Sequence, residues 1–341
     1  ANDKKGVQWG RRVLTGLVGI PSALKMLSTD LGMLALATTL CCLSLVEFTA
    51  TICPQIVPES KVPMERLVRR LVVAGTGALV CVAAWSGNKN IHDAVVLGAT
   101  LAVFTYHILA TKKLDQPGGS MAALQGLRCN NNLAPSSLTV AFVCGVRTVS
   151  LLVALLTLLL DLFALVYIVN GFSHAILLRY SSAKYGLGLQ ILGLSCAWVC
   201  DSGALVAGSF MGHTKLAPVV SPGKTLVGAV AGILSSVATV VAMCALPRCS
   251  DALSSVPIFA QWTHELLPPP ELMPLTHQVI LGLVLGVLCI LGDLVESYVK
   301  RVAGVKDSGA FFPGHGGCLD RMDSFLFVAP CLYFYSRFAF E

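Results

Sequence analysis

Residues 278–297 read QVILGLVLGVLCILGDLVES, and the first charged residue in this stretch is Asp293. A helix needs about 20 predominantly apolar residues to cross the hydrocarbon core of a bilayer. The run lacks the period-2 alternation of a barrel strand. In lipid only helices and closed barrels satisfy their backbone hydrogen bonds, so the run reads as a transmembrane helix. Working outward, similar runs occur at roughly 13–27, 31–53, 71–86, 94–111, 138–157, 159–178, 187–208, 226–246 and 324–340. Run 13–27 carries Pro21 and Lys25 and reads as a partial or tilted helix. Runs 138–157 and 159–178 nearly touch, with Asp161 at their junction. Eight or nine true spans are expected, in an all-α polytopic helical bundle.

Composition agrees. Apolar residues make up 55% of the 341 residues and charged residues 12%, about half the share found in soluble domains. Mean hydropathy is +0.76. The net charge of +6 lies in short stretches between apolar runs. That is the positive-inside bias of membrane proteins rather than a nucleic-acid patch. The 13 cysteines include no CxxC pair, and most sit in apolar runs as small hydrophobes. Neither a zinc site nor a disulfide framework is expected. Residues 1–12, ANDKKGVQWGRR, read as a basic interfacial flank rather than a signal peptide. The chain divides softly into an N-terminal transmembrane region, 1–137, and a C-terminal catalytic region, 138–341, within one membrane-embedded unit. Lys215 and Lys224 lie in the segment 211–225, and Lys300, Arg301, Lys306 and Arg321 in 298–323. Two spans separate these segments. The loop between those spans holds Arg248 against Asp251, Glu265 and Glu271. Both basic segments are therefore expected on the cytoplasm-equivalent face, where they can build one site.

Three constellations carry chemistry. In 292–301, GDLVESYVKR, residues Asp293, Glu296, Ser297 and Lys300 are spaced i, i+3, i+4, i+7 and share one helical face. Ionisable groups inside a span are costly and mark functional sites. In 305–324, VKDSGAFFPGHGGCLDRMDS, Lys306 and Asp307 precede a loop with Pro313, Gly314, His315, Gly316 and Gly317. Such a loop lets backbone N–H groups approach a phosphate. Asp320 and Asp323 follow, flanking Arg321. They fall on one face if a helix begins near Leu319, and two close carboxylates with substrate phosphates suit Mg²⁺. His315 reads equally as a general base, a phosphate donor or a pin for the loop. In 201–225, Asp201 ends an apolar run, and Ser221-Pro222-Gly223-Lys224-Thr225 precedes a helix, an arrangement suited to an anion. The upstream glycine of a P-loop is missing, so that reading fails.

The string Ser297-x-x-Lys300-Arg301, Lys306-Asp307-Ser308-Gly309, Pro313-Gly314-His315-Gly316-Gly317 and Asp320-Arg321-x-Asp323 resembles the C-terminal signature of the phosphatidate cytidylyltransferases (CDP-diacylglycerol synthases). RRVLTGLVGIP at 11–21 resembles the start of that family. Asp201-Ser202-Gly203 with Lys215-Leu216-Ala217-Pro218 and Ser221-Pro222 resembles its middle loop. The Lys-Asp-Ser-Gly form is similar to bacterial and plastid members. The resemblance implies transfer of CMP from CTP to phosphatidate in phospholipid biosynthesis. It implies Mg²⁺, with K⁺ as a candidate second cation, held by Asp293, Asp320 and Asp323. It implies phosphate binding by Lys224, Lys300, Arg301 and Lys306, a substrate contact by Ser221, and a glycine loop around the triphosphate. Asp307 joins Lys306 among the catalytic candidates; Asp201, Thr225, Ser297 and Arg321 complete the substrate-binding set. A bacterial inner membrane or plastid-type membrane is implied, with room for a homodimer. Gly223 and Val227 replace a lysine and a glutamate of the family pattern, so no carboxylate role carries over to Val227.

Two other classes compete. A CTP-dependent polyprenol or phytol kinase would lack the full Pro-Gly-His-Gly-Gly-x-x-Asp-Arg-x-Asp string. An ion-coupled transporter using Asp201 and Asp293 would call for inverted repeats, and none is evident. The Asp-Gly-x-x-Ala-Arg motif of CDP-alcohol phosphotransferases is absent.

Overall fold

The computed structural model describes residues 21–22, 25–60, 62–112, 137–181, 185–252, 266–269, 271–312 and 316–340. Helix α1 (Asp30–Glu47) continues through a π-helical turn, Phe48–Ile52, and a last turn, Cys53–Ile56. Then follow α2 (Pro63–Trp85), α3 (Lys89–Lys112) and α4 (Ser137–Ala164). A second π-helical turn, Leu165–Val169, joins α4 to α5 (Asn170–Ser181). Helix α6 (Gly186–Met211) leads into a hairpin of β1 (Lys215–Ala217) and β2 (Ser221–Thr225). Helices α7 (Leu226–Ala252), α8 (Leu275–Val302) and α9 (Leu319–Phe340) complete the chain.

Among the described residues, seven helical stretches are long and apolar enough to cross a membrane: Asp30–Ile56, Pro63–Trp85, Lys89–Thr111, Ser150–Ser181, Gly186–Met211, Leu226–Pro247 and Leu275–Val302. The chain is a multi-pass, all-α membrane protein. The expected eight or nine spans change for three reasons. Run 13–27 lies mostly outside the described residues. Runs 138–157 and 159–178 form one continuous rod, α4 to α5, with no break at Asp161. Run 324–340 is helical, in α9, but that helix also carries Asp320, Arg321, Asp323 and Arg337 and is not among the seven.

Asp161 lies at the junction of those two runs, and a carboxylate is costly in lipid. It is instead fully buried and paired. Arg69 of α2 reaches it with Nε and Nη2 at 2.9 and 2.6 Å, and His107 Nε2 of α3 lies 2.8 Å away. This triad binds α2, α3 and α4 to one another. Helices α6, α7 and α8 pack together in the C-terminal half, with α9 between α8 and α5. A Cβ at Gly292 of α8 would press on the Asp323 backbone of α9. The glycine therefore lets the two helices meet where their acidic residues lie.

The hairpin was not expected within the segment read as a loop. It is antiparallel, pairing Lys215 with Thr225 and Ala217 with Ser221. Its second strand runs straight into α7, so that Lys224 is held one residue from a helix N-terminus.

Candidate functional site

The site assembles at one end of the bundle, where α8 ends, α9 begins and the hairpin crosses. Ser297 Oγ donates to Asp293 Oδ1 at 3.1 Å, one turn along α8. Lys224 Nζ of β2 lies 2.5 Å from Asp293 Oδ2. Arg301 Nε donates to the Val220 carbonyl at 3.1 Å and ties α8 to the hairpin turn. The segments 211–225 and 298–323 thus meet in space.

Lys300 forms the centre of the second half of the site. Its Nζ lies 2.7 Å from Glu296 Oε2 and 2.7 Å from Asp320 Oδ1. Glu296 is almost fully buried, and the Lys300 ammonium offsets the cost of burying its carboxyl group. Asp320 is more fully engaged. Its Oδ2 accepts the backbone N–H groups of Ser308 (3.0 Å) and Gly317 (2.8 Å). Burial alone would raise the Asp320 pKa. The hydrogen bond and charge of Lys300 more than offset that, and hold the carboxyl below its usual range. Gly316 has φ +88°, a conformation that favours glycine, and Phe312 N–H donates to its carbonyl at 3.0 Å.

Asp323 is buried, and its Oδ1 accepts the N–H of Ser324 at 2.8 Å. Tyr167 OH bridges the Gly292 and Asp323 carbonyls at 3.4 and 3.5 Å. The negative charge of Asp293 acts directly on Asp323. Asp201 lies on α6, which packs against α8 and α9. Among the described residues, no three acidic, histidine or cysteine side chains converge on one point as a ready-made metal cage. Asp320 is turned toward Lys300 and two N–H groups. Asp293 and Asp323 remain as two carboxylates close enough to interact. Mg²⁺ commonly takes one or two carboxylates and completes its shell with water and phosphate oxygens, and this pair fits that mode.

Some expected residues stand elsewhere. Thr225 is buried and serves as the N-cap of α7, its Oγ1 accepting the Gly228 N–H at 3.1 Å. A Thr225→Val change is expected to cost about 1 kcal/mol, read as a small fall in melting temperature with turnover kept. Ser221 is half-buried on the hairpin, while Lys306 and Asp307 are exposed in the turn after α8. Gly314 and His315 lie outside the described residues. Two site groups were missed. Glu296 was seen on the α8 face but given no role. Glu47 of α1 was not singled out, and it touches Ser308, Cys318 and Leu319. The available signal was a lone acid in an apolar run.

An apolar cleft of about 570 Å³ abuts this end of α8. Leu294, Val295 and Tyr298 of α8, Leu159 and Phe163 of α4, and Val220 of the hairpin line it.

Fold and site together define a polytopic membrane protein with a mixed acidic and basic centre at one end of its bundle. The model of the cytidylyltransferase family matches residues 10–339, and the chain belongs to that family. It is 36% identical over 166 residues to a phosphatidate cytidylyltransferase of Synechocystis sp., covering 49% of each chain. It is 39% identical over 171 residues to the phosphatidate cytidylyltransferase of Bacillus subtilis, covering 50% of this chain and 55% of that one. A Staphylococcus epidermidis protein of the same name is 37% identical over 171 residues, covering 50% and 56%. The chain spans about half the length of these curated relatives in each match.

Proposed function

We propose that the chain is a phosphatidate cytidylyltransferase, converting CTP and phosphatidate to CDP-diacylglycerol and pyrophosphate. The observation that carries this reading is the meeting of Lys224 with Asp293 and of Lys300 with Asp320 at one end of a membrane bundle of this family. In the reaction a phosphatidate phosphate oxygen forms a bond to the α-phosphorus of CTP. The bond from that phosphorus to the bridging oxygen breaks, and pyrophosphate leaves with the electron pair. The nucleophile is already an anion, so general-base help is minor. The main barrier is the repulsion of two polyanions, which fixed cations offset.

Lys224 and Arg301, at the mouth of the site, are suited to bind phosphates. Lys300 pairs with Glu296 and Asp320 and, through Asp320, holds the Ser308 and Gly317 N–H groups. Ser221 stands on the hairpin beside Lys224 and suits a substrate contact. Asp293 and Asp323 would hold Mg²⁺, which when bound neutralises phosphate charge. The apolar cleft beside α8 offers the acyl tails a lateral path from the bilayer. Charge asymmetry supports a cytoplasm-equivalent face for the site.

The test is pyrophosphate release from CTP by the purified chain with phosphatidate and Mg²⁺, beside Asp320→Asn. The wild type is expected to form a CDP-lipid. The variant, with a weakened Lys300 pair, is expected to lose about 10²–10³-fold in turnover, as when an electrostatic group of a site is removed. CDP formation from CTP and a lipid alcohol would replace this reading with the lipid kinase. Untouched CTP would favour the transporter.

A further inference from the structure

Glu47 is the only charged residue between Asp30 and Glu59. It is the last residue of α1, within the Asp30–Ile56 span, yet its carboxylate reaches residues more than 260 positions away. Its Oε2 accepts the backbone N–H of Cys318 at 2.7 Å and of Leu319 at 3.2 Å. Ser308 Oγ donates to the same oxygen at 3.4 Å. Leu319 opens α9. The first N–H groups of a helix have no partner within it, and a carboxylate placed there also complements the helix dipole. Glu47 therefore caps α9 from another helix, one residue before Asp320.

Two further observations converge on the same contact. Cys318 is gripped again by α1, its Sγ donating to the Leu40 carbonyl at 3.6 Å and accepting from Ser44 Oγ at 3.5 Å. A Cβ at Gly309 would meet Glu47 first, overlapping Oε1 with Cδ 2.6 Å away. A Cβ at Gly317 would stand 2.6 Å from Glu47 Oε2. The glycines of the Lys-Asp-Ser-Gly and Gly-His-Gly-Gly strings thus leave room for this side chain. Ser308 and Gly317 are also the residues whose N–H groups hold Asp320 Oδ2. Glu47 and Asp320 grip the same two turns from opposite sides.

We infer that Glu47 is a positioning residue for the nucleotidyl-transfer site. Its carboxylate fixes Ser308 and the Cys318–Leu319 turn so that Asp320 meets Lys300. This inference rests on the function proposed above. It makes the site incomplete without the N-terminal half of the chain, with Glu47 acting through the residues it holds.

The experiment uses the full chain in lipid nanodiscs, with Glu47→Ala, Glu47→Gln and Glu47→Asp. Charged hydrogen bonds contribute enough that their loss corresponds to about a 10- to 100-fold effect. Turnover is expected to fall by that factor in Glu47→Ala and less in Glu47→Asp, with the KM for CTP nearly unchanged. Amide hydrogen exchange in 317–320 is expected to quicken while the spans stay protected. Gly309→Ala is expected to be poorly active, and adding Glu47→Asp, which withdraws the carboxyl, to restore part of the activity. Wild-type turnover and exchange in Glu47→Ala would overturn the inference, as would a Gly309→Ala defect indifferent to Glu47→Asp. If Glu47→Ala fails to accumulate, the Gly309→Ala pair decides the matter in the same two ways. If the wild type does not turn over CTP, the proposed function fails, and amide exchange alone decides whether Glu47 holds the loop.

Discussion

Lys300→Met is expected to abolish turnover and to lower the melting temperature at the same time. Lys300 Nζ stands 2.7 Å from both Glu296 and Asp320, and its side chain is 12% exposed, against 2% and 8% for the two acids. Removing one partner of a buried ion pair costs about 3–5 kcal/mol, because the remaining charge stays desolvated. Here two carboxylates would be left, with Asp323 nearby as a third. The loop would lose its anchor too, since Asp320 carries the Ser308 and Gly317 N–H groups. Turnover is expected to drop by about 10³-fold or more, adding loss of a fixed cation to loss of loop geometry. Steady-state pyrophosphate release and thermal unfolding in detergent check the two effects separately. The double variant Glu296→Gln with Lys300→Met tests the division of labour. Neutralising Glu296 is expected to return much of the melting temperature but not the turnover. Recovery of turnover in the double variant would reduce Lys300 to a counter-ion for Glu296.

The second large effect lies far from the chemistry. Arg69→Met leaves Asp161, which is 0% exposed, with His107 as its remaining partner. Arg69 binds the carboxylate through two parallel N–H bonds, the strongest common geometry for such a pair. The expected cost is about 3–5 kcal/mol, read as loss of monodisperse protein or a large fall in melting temperature. Arg69→Lys keeps the charge but not the fork, and is expected to fall in between. Arg69→Met with Asp161→Leu removes both charges. Well-packed apolar replacements of buried pairs are often neutral, so this double variant is expected to recover most of the stability. If it proves no better than Arg69→Met, the triad stabilises through shape rather than charge.

Much of the architecture was legible because lipid leaves few choices. A run such as 278–297 can only be a helix, and its spacing puts Asp293, Ser297 and Lys300 on one face without any tertiary information. The Ser297–Asp293 bond and the Glu296–Lys300 pair follow from that spacing. That the two runs meeting at Asp161 form one rod has a definite cause. A polar residue between two apolar runs marks a turn only if it needs water, and Arg69, 92 positions away, removes that need. Thr225 was read as a ligand because a hydroxyl beside Lys224 suits an anion. Capping suits it as well, and in the structure its Oγ1 caps the start of α7.

Local pattern was enough to establish a helical membrane protein and to mark the stretch from Asp293 to Asp323 as the candidate seat of its chemistry. Periodicity and hydropathy act over one or two turns, and that chemistry is written at that range. The partners of each charge are not. Lys224 pairs with Asp293 because the hairpin crosses the end of α8. Lys300 faces Asp320 because Gly292 lets α8 and α9 come close. Glu47 caps α9 because α1 packs against its first turn. Each of these depends on which helix surfaces meet, a choice made by the packing of the whole bundle rather than by any stretch of its residues.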